Sequence, residues 1–185
     1  MKIAITGHTR GIGKAVFDSL SLAGHDCSGY SRSNGFDISD IDKLMQAVIN
    51  HDVLINNAYH QFYQIDIFNQ WYSKHQHNDT KTIINIGSII KNTMPNGTAA
   101  TSKEYIACKK QLDFITKKAA MTTDRQCRII NINPGFVKTE LSQKYSGINN
   151  EYPSLDVRQC ADAVCWALDQ PPGVEISEIT LKAVY

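Results

Sequence analysis

An α/β domain, doubly wound around a mainly parallel sheet with helices on both faces, is the fold this sequence predicts. Three observations lead there. Short, near-continuously apolar runs recur along the chain, as strands buried on both faces require. Segments of helical length and period separate them. A glycine-rich loop follows the first run directly, and ligands of open parallel sheets bind beyond the carboxyl ends of the strands. The 185 residues suffice for one domain with its own core, and no repeat, low-complexity tract or linker divides them. A single domain over 1–185 is expected.

The elements follow in order. KIAIT (2–6) reads as the first strand, stopped by the loop TGHTRGIG (6–13). Residues 11–24 read as a helix, with Ile12, Ala15, Val16, Leu20 and Ala23 along one side and Gly24 ending it. CSGYS (27–31) is a second strand. Residues 37–49 have a helical period behind a capping Ser39 or Asp40. DVLINNA (52–58) is a buried strand ending in polar residues, and residues 61–77 form a helix. KTIINIGS (81–88) is the strongest strand, followed by a long helix over 103–121. CRIININ (127–133) is a strand stopped by Pro134 and Gly135. A helix at 156–169 and a strand at EISEITLK (175–182) complete the set.

Composition excludes several classes of function. Apolar residues make up 42%, charged residues 20%, and the net charge is +1. Lys and Arg are scattered and matched by Asp and Glu, so no nucleic-acid-binding face is expected. The N-terminus MKIAITGHTR lacks a signal-peptide core, and no run is long enough to span a bilayer. The expectation is a cytoplasmic protein with no membrane partner. Cys27, Cys108, Cys127, Cys160 and Cys165 form no CxxC pair and no zinc-like cluster, so they are expected to be buried, reduced thiols. His75 and His77 stand close together without a carboxylate-bearing motif, and no metal site is expected.

The chemistry-bearing residues collect at the strand ends. Gly7, Gly11 and Gly13 permit a tight turn, close approach of a ligand and close packing of the next helix. The helix N-terminus then offers N–H groups to an anion, and a pyrophosphate fits. The spacing is not that of GxGxxG, and a glycine loop alone is equally compatible with a structural turn. After the second strand, Ser31-Arg32-Ser33 stands where an NAD-binding fold places an acidic residue for the ribose 2′-hydroxyl. Arg32, with Arg10 of the glycine loop, can clamp a 2′-phosphate, unless both are solvated surface arginines. NADP(H) is expected ahead of NAD(H). Further strand ends carry Asn56-Asn57-Ala58-Tyr59, Gly87-Ser88 and NPGFVKTEL (133–141).

Together these segments resemble the short-chain dehydrogenase/reductase family, and the match runs through nearly the whole chain. TGHTRGIG is similar to its TGxxxGxG loop and NNAY to its NNAG segment. Ser88 resembles its catalytic serine, YIACK (105–109) its YxxxK, and NPGFVKT its PG-motif. EISEITLK is similar to the last strand of many members. The resemblance implies a Rossmann-like, mainly parallel seven-stranded sheet and a shortened member of the family. It implies hydride transfer between nicotinamide and a small-molecule carbonyl or alcohol, with the cofactor carrying the hydride. Tyr105 would be the general acid/base. A free tyrosine has a pKa of ~10, and the Lys109 ammonium one turn on would lower it. Lys109 would also hold the nicotinamide ribose, and Ser88 the substrate oxygen. Cofactor contacts would come from Gly7, Thr9, Arg10, Gly11, Ile12 and Gly13, then Ser31, Arg32, Ser33, Asp37 and Ile38. Asn57, Ala58, Tyr59, Tyr105, Lys109, Pro134, Gly135, Val137 and Thr139 would supply the rest.

Three departures accompany the match. The interval from Ser88 to Tyr105 is longer than usual and contains Asn96-Gly97, which reads as an extra turn. Thr93 has the more typical offset, but Ser88 directly ends its strand. The segment between NNAY and the strand at 81–88 is short. Family members place an asparagine of a proton relay in that helix, and Asn69 is its helix-interior candidate, or else a surface residue. Tyr59 replaces the usual glycine, and either crowds the cofactor or faces outward. Phe62, Tyr63, Trp71 and Tyr72 either line the substrate site or belong to the core. The lid region, 142–156, is short and polar. The resemblance implies a homodimer or homotetramer pairing through the helices at 61–77 and 103–121. The alternative to an enzyme is a catalytically weak, NADPH-binding regulator or scaffold.

Overall fold

Residues 1–92, 103–140, 142, 153–171 and 173–184 are described by the computed structural model. Strands β1 (Lys2–Thr6), β2 (Asp26–Tyr30), β3 (Val53–Asn56), β4 (Thr82–Ile86), β5 (Arg128–Pro134) and β6 (Glu178–Leu181) form one sheet. Its order is β2-β1-β3-β4-β5-β6, and every neighbouring pair is parallel. The chain winds outward from β1 in both directions, so a crevice opens between the carboxyl ends of β1 and β3.

Helix α1 (Gly11–Leu22) and helix α5 (Val157–Leu168) cover one face. The other carries α2 (Ile41–Val48), α3 (Tyr63–His75) and α4 (Lys103–Ala120). Strand alternation sorts the side chains. Ile55, Ile84 and Ile130 pack toward α1 and α5, whereas Leu54, Ile83 and Ile129 pack toward α2, α3 and α4. Every residue of β3 and β4 is buried, as strands covered on both faces must be.

The described residues hold six strands rather than the seven expected. The physical reason lies after β2. Residues 31–40 contain a 3-10 turn, Arg32–Asn34, and then a turn at Asp37 before α2 begins. A parallel crossover needs a dozen or more residues, and this stretch is too short to add an outer strand.

Capping explains the helix ends. Asp40, not Ser39, caps α2, its carboxylate accepting from the Lys43 N–H at 3.3 Å. The Ser39 hydroxyl donates to Asp37 instead, at 2.9 Å. Asp156 and Gln159 form a reciprocal capping box at the start of α5. Helix α1 stops at Leu22, and Gly24 follows at φ +84°. All five cysteines are free thiols, with Cys108, Cys127 and Cys160 buried and Cys27 and Cys165 half-buried. Among the described residues no helix is long and apolar enough to cross a membrane.

Candidate active site

The loop after β1 is built by its glycines. Gly7 and Gly11 have φ of +72° and +56°, the left-handed region that side chains disfavour. Gly13 is required by space: a Cβ there would lie 2.2 Å from the Gly7 carbonyl oxygen. Asn57 locks this loop to β3. Its Nδ2 donates to the Thr6 carbonyl at 2.9 Å, while the Thr6 hydroxyl accepts from the Asn57 and Ala58 N–H groups at 2.9 and 3.0 Å. Thr139 reaches the same loop, its Cγ2 lying 3.5 Å from where a Gly11 Cβ would be. No acidic residue occupies the first turn of α1. The cradle therefore suits a pyrophosphate held on backbone N–H groups.

Beside it, the chain leaving β2 forms a polar turn. The Ser31 N–H donates to Asn34 Oδ1 at 2.8 Å, and the Ser31 and Ser33 hydroxyls are 2.8 Å apart. Arg32, Ser33, Thr9 and Arg10 are exposed. Two cationic side chains thus border the glycine loop with no carboxylate at Ser31, a donor set that suits a 2′-phosphate. Hydrogen bonds from the Ser39 N–H and hydroxyl hold the Asp37 carboxyl below the usual carboxylate range, with Arg32 and His60 adding to the effect. Ile38 is buried in the core against α2, and Ile12 is packed between two apolar clusters.

At the end of β4, the Ser88 side chain stands close enough to Tyr105 to oppose the rise in the tyrosine's pKa. Ser88 Oγ accepts from the Ile90 N–H at 3.2 Å. Gly87 precedes it because Asn133 Oδ1 lies 2.1 Å from where a Cβ would stand. Tyr105 is in the first turn of α4, and Lys109 follows one turn later, buried. Lys109 Nζ donates to Gln64 Oε1 at 2.7 Å and to the Ile86 carbonyl at 2.8 Å. It stands 5.5 Å from the Tyr105 ring centre and 5.6 Å from that of Tyr59. Pro134 ends β5, and the Gly135 N–H donates to the Leu181 carbonyl at 2.8 Å. Val137 is buried and bridges to Leu155.

Several expectations need correction. Burial pushes the Tyr105 pKa above its ordinary value, with the neighbouring Ser88 side chain opposing. The anticipated lowering by Lys109 does not govern it, because Nζ lies toward the ring face and spends hydrogen bonds on Gln64 and Ile86. Burial in turn lowers the Lys109 pKa to about 8. Asn69 lies on the exposed side of α3 and does not reach Lys109; Gln64, fully buried on the same helix, does. Gln64 shares its helical face with Ile67, Phe68 and Trp71, and a polar residue on an apolar stripe is the sequence signal that could have found it. Tyr59 is 38% exposed and packs edge-on against Tyr105, ring centres 4.8 Å apart. Burial pushes its hydroxyl up to about 12, helped by neighbouring Glu104.

Of the other aromatics, Trp71 is a core residue and Tyr72 stacks on Phe68, while Phe62 is exposed before α3. Thr93 and the Asn96-Gly97 turn lie outside the described residues, as does most of the lid region.

No family model matches the chain. In sequence it is similar to an uncharacterised oxidoreductase of Staphylococcus epidermidis, 26% identical over 99% of this chain and 97% of that protein. A second, from Staphylococcus aureus, is 22% identical over 99% and 87%. Among solved structures, an alcohol dehydrogenase from the archaeon Thermococcus sibiricus, complexed with 5-hydroxy-NADP, superposes with a TM-score of 0.80. It is 18% identical, with 100% of this chain and 97% of that chain covered. A short-chain dehydrogenase from Burkholderia cenocepacia in complex with NADP has a TM-score of 0.76 at 22% identity, covering 98% and 88%. Strand order and the solved structures agree: the chain has the fold of the short-chain dehydrogenases/reductases.

Proposed function

We propose that this protein is an NADP(H)-dependent oxidoreductase that interconverts a carbonyl and an alcohol on a small molecule. The observation that carries the reading is the grouping of Ser88, Tyr105 and the Lys109 ammonium at the carboxyl end of the sheet that bears the glycine cradle. When bound, reduced nicotinamide supplies the hydride. Tyr105 gives its hydroxyl proton to the substrate oxygen, and Ser88 holds that oxygen by a hydrogen bond. Lys109 keeps a positive charge close to the tyrosine as the proton leaves. The loop 134–139 walls the nicotinamide side, with Pro134, Gly135, Val137 and Thr139. Arg32 and Arg10 read the 2′-phosphate, which favours NADP(H) over NAD(H). The proposed assembly is a homodimer or homotetramer through α3 and α4, and the proposed location is the cytoplasm.

One observation favours a second reading, a weakly catalytic NADPH-binding regulator: Tyr59 packs against the ring of Tyr105 and narrows access to it. An oxidation assay of NADPH and NADH over a panel of aldehydes, ketones and quinones separates the two. The enzyme reading expects turnover with at least one carbonyl class and a preference for NADPH. Tight NADPH binding without turnover across the panel would favour the regulator.

A further inference from the structure

Behind Lys109 lies a row of buried amides. Asn56, Asn85 and Asn131 stand in register on β3, β4 and β5. Asn56 Nδ2 donates to Asn85 Oδ1 at 3.0 Å, Asn85 Nδ2 to Asn131 Oδ1 at 3.3 Å, and Asn131 Nδ2 to the Thr116 hydroxyl of α4 at 3.0 Å. At the other end, Asn56 Nδ2 also donates to the Gln64 carbonyl at 2.8 Å. The row thus ends on the backbone of the residue whose side chain meets Lys109.

The orientation of the Gln64 amide is dictated by its surroundings. Nε2 donates to the carbonyls of Asn56 and Ile86 at 2.7 and 3.1 Å, and Oε1 accepts from Lys109 Nζ. Flipped, the amide would set its oxygen against two carbonyl oxygens and its NH2 against an ammonium. Both contacts would be repulsive in a buried site. One face of Gln64 therefore grips the ends of β3 and β4, and the other presents an acceptor at a set point. The ammonium has three donors, and Gln64 and Ile86 engage two of them. The third has no partner among the described residues and is available to a ligand.

We propose that Gln64 is a positioning residue of the active site, holding the Lys109 ammonium in place through Oε1 while the asparagine row holds Gln64. The proposal rests on the reading of Tyr105 and Lys109 as the catalytic pair. A glutamine that only filled the core would change stability. One that solvates the ammonium also sets how readily Lys109 loses its proton.

The test follows Lys109 directly, by NMR titration of protein carrying isotope-labelled lysine, with Lys109→Met to assign the signal. Burial already holds the Lys109 pKa down to about 8, within an accessible range. Gln64→Met keeps the side-chain length but removes the acceptor, and should lower the Lys109 pKa by about one unit or more. Gln64→Glu keeps the acceptor and adds a negative charge, and should raise it. Opposite shifts are a signature that loss of packing does not produce. If Gln64→Met fails to fold, Gln64→Glu decides alone. An unmoved Lys109 titration in a folded variant overturns the proposal. This readout needs no substrate, so it separates the two ideas. Where turnover is found, the alkaline limb of kcat should move in the same two directions. Turnover that survives Lys109→Met, together with shifted titrations, would overturn the catalytic pair and leave Gln64 as the ammonium's partner.

Discussion

The face of the sheet toward α1 and α5 presents Ile55, Ile84 and Ile130 side by side, all fully buried. One residue further along the same strands, the opposite face presents Asn56, Asn85 and Asn131. Burying isoleucine is favourable and carries no direction. Burying an amide is unfavourable unless its hydrogen bonds are made, and those bonds have direction. The apolar row therefore holds the layers together, while the amide row aims particular atoms. The amide row lies near the carboxyl ends of the strands, and Asn56 leads through Gln64 to Lys109. Part of its hydrogen-bonding capacity is unused: Asn56 Oδ1 is buried with no partner among the described residues. Aim is obtained on this face at some expense in stability.

The contrast is most sharply tested at the proposed catalytic end. Tyr105→Phe keeps the ring against Tyr59 and removes only the transferable proton. Turnover should fall ~10²–10⁴-fold, the usual contribution of general acid catalysis, with NADPH affinity and unfolding midpoint nearly unchanged. Near-full turnover in that variant would detach the polar face from the chemistry. On the apolar face, Ile130→Ala should lower stability by about 2–5 kcal/mol in urea unfolding, because a cavity opens in a packed layer. Its turnover per folded molecule should hold.

Smaller effects are expected from single polar contacts. Asn85→Leu interrupts the amide row and strips the donor from Asn131 Oδ1. The loss should be about 1–3 kcal/mol of stability, read by the same unfolding assay. A neutral result would mean the row is not acting as a connected network. Arg32→Ala lies outside both faces and serves as the control. It should weaken NADPH binding by about 1–3 kcal/mol in calorimetry and leave NADH binding nearly unchanged. Equal losses for both cofactors would remove the 2′-phosphate from its role.

The smallest expected effect is a pH dependence that belongs to the α2–α3 side. Burial lowers the pKa of His75 and of His51 below the ordinary 6.5. His75 is held by donating Nε2–H to the Ile49 carbonyl at 2.8 Å. The unfolded chain takes up these protons more readily than the folded one. The stabilisation is therefore full above the unfolded value and is lost as pH falls through it toward the folded pKa values. The urea midpoint should be lower at about pH 5.5 than at about pH 7.5, and His75→Gln should shrink the difference. An unchanged difference would assign the acid sensitivity elsewhere.

The sequence by itself determined the layered α/β order, the strand and helix identities, the glycine loop and the set Ser88, Tyr105 and Lys109. Each of these is written in local patterns: alternation along strands, helical period, glycines where φ must be positive, and side chains four apart on one helix. The tertiary structure alone decided the partners of those side chains. Gln64, Asn56, Ile86 and Lys109 come from separate elements, and only packing brings Gln64 and Ile86 to the Lys109 ammonium and Asn56 to Gln64. The same distance in sequence hid the exposure of Asn69, the lean of Tyr59 onto Tyr105, and the burial that raises the Tyr105 pKa. A hydrogen bond or a desolvation penalty depends on distances of a few ångströms between atoms far apart in the chain. Local patterns specify which residues are available, and the fold specifies which of them meet.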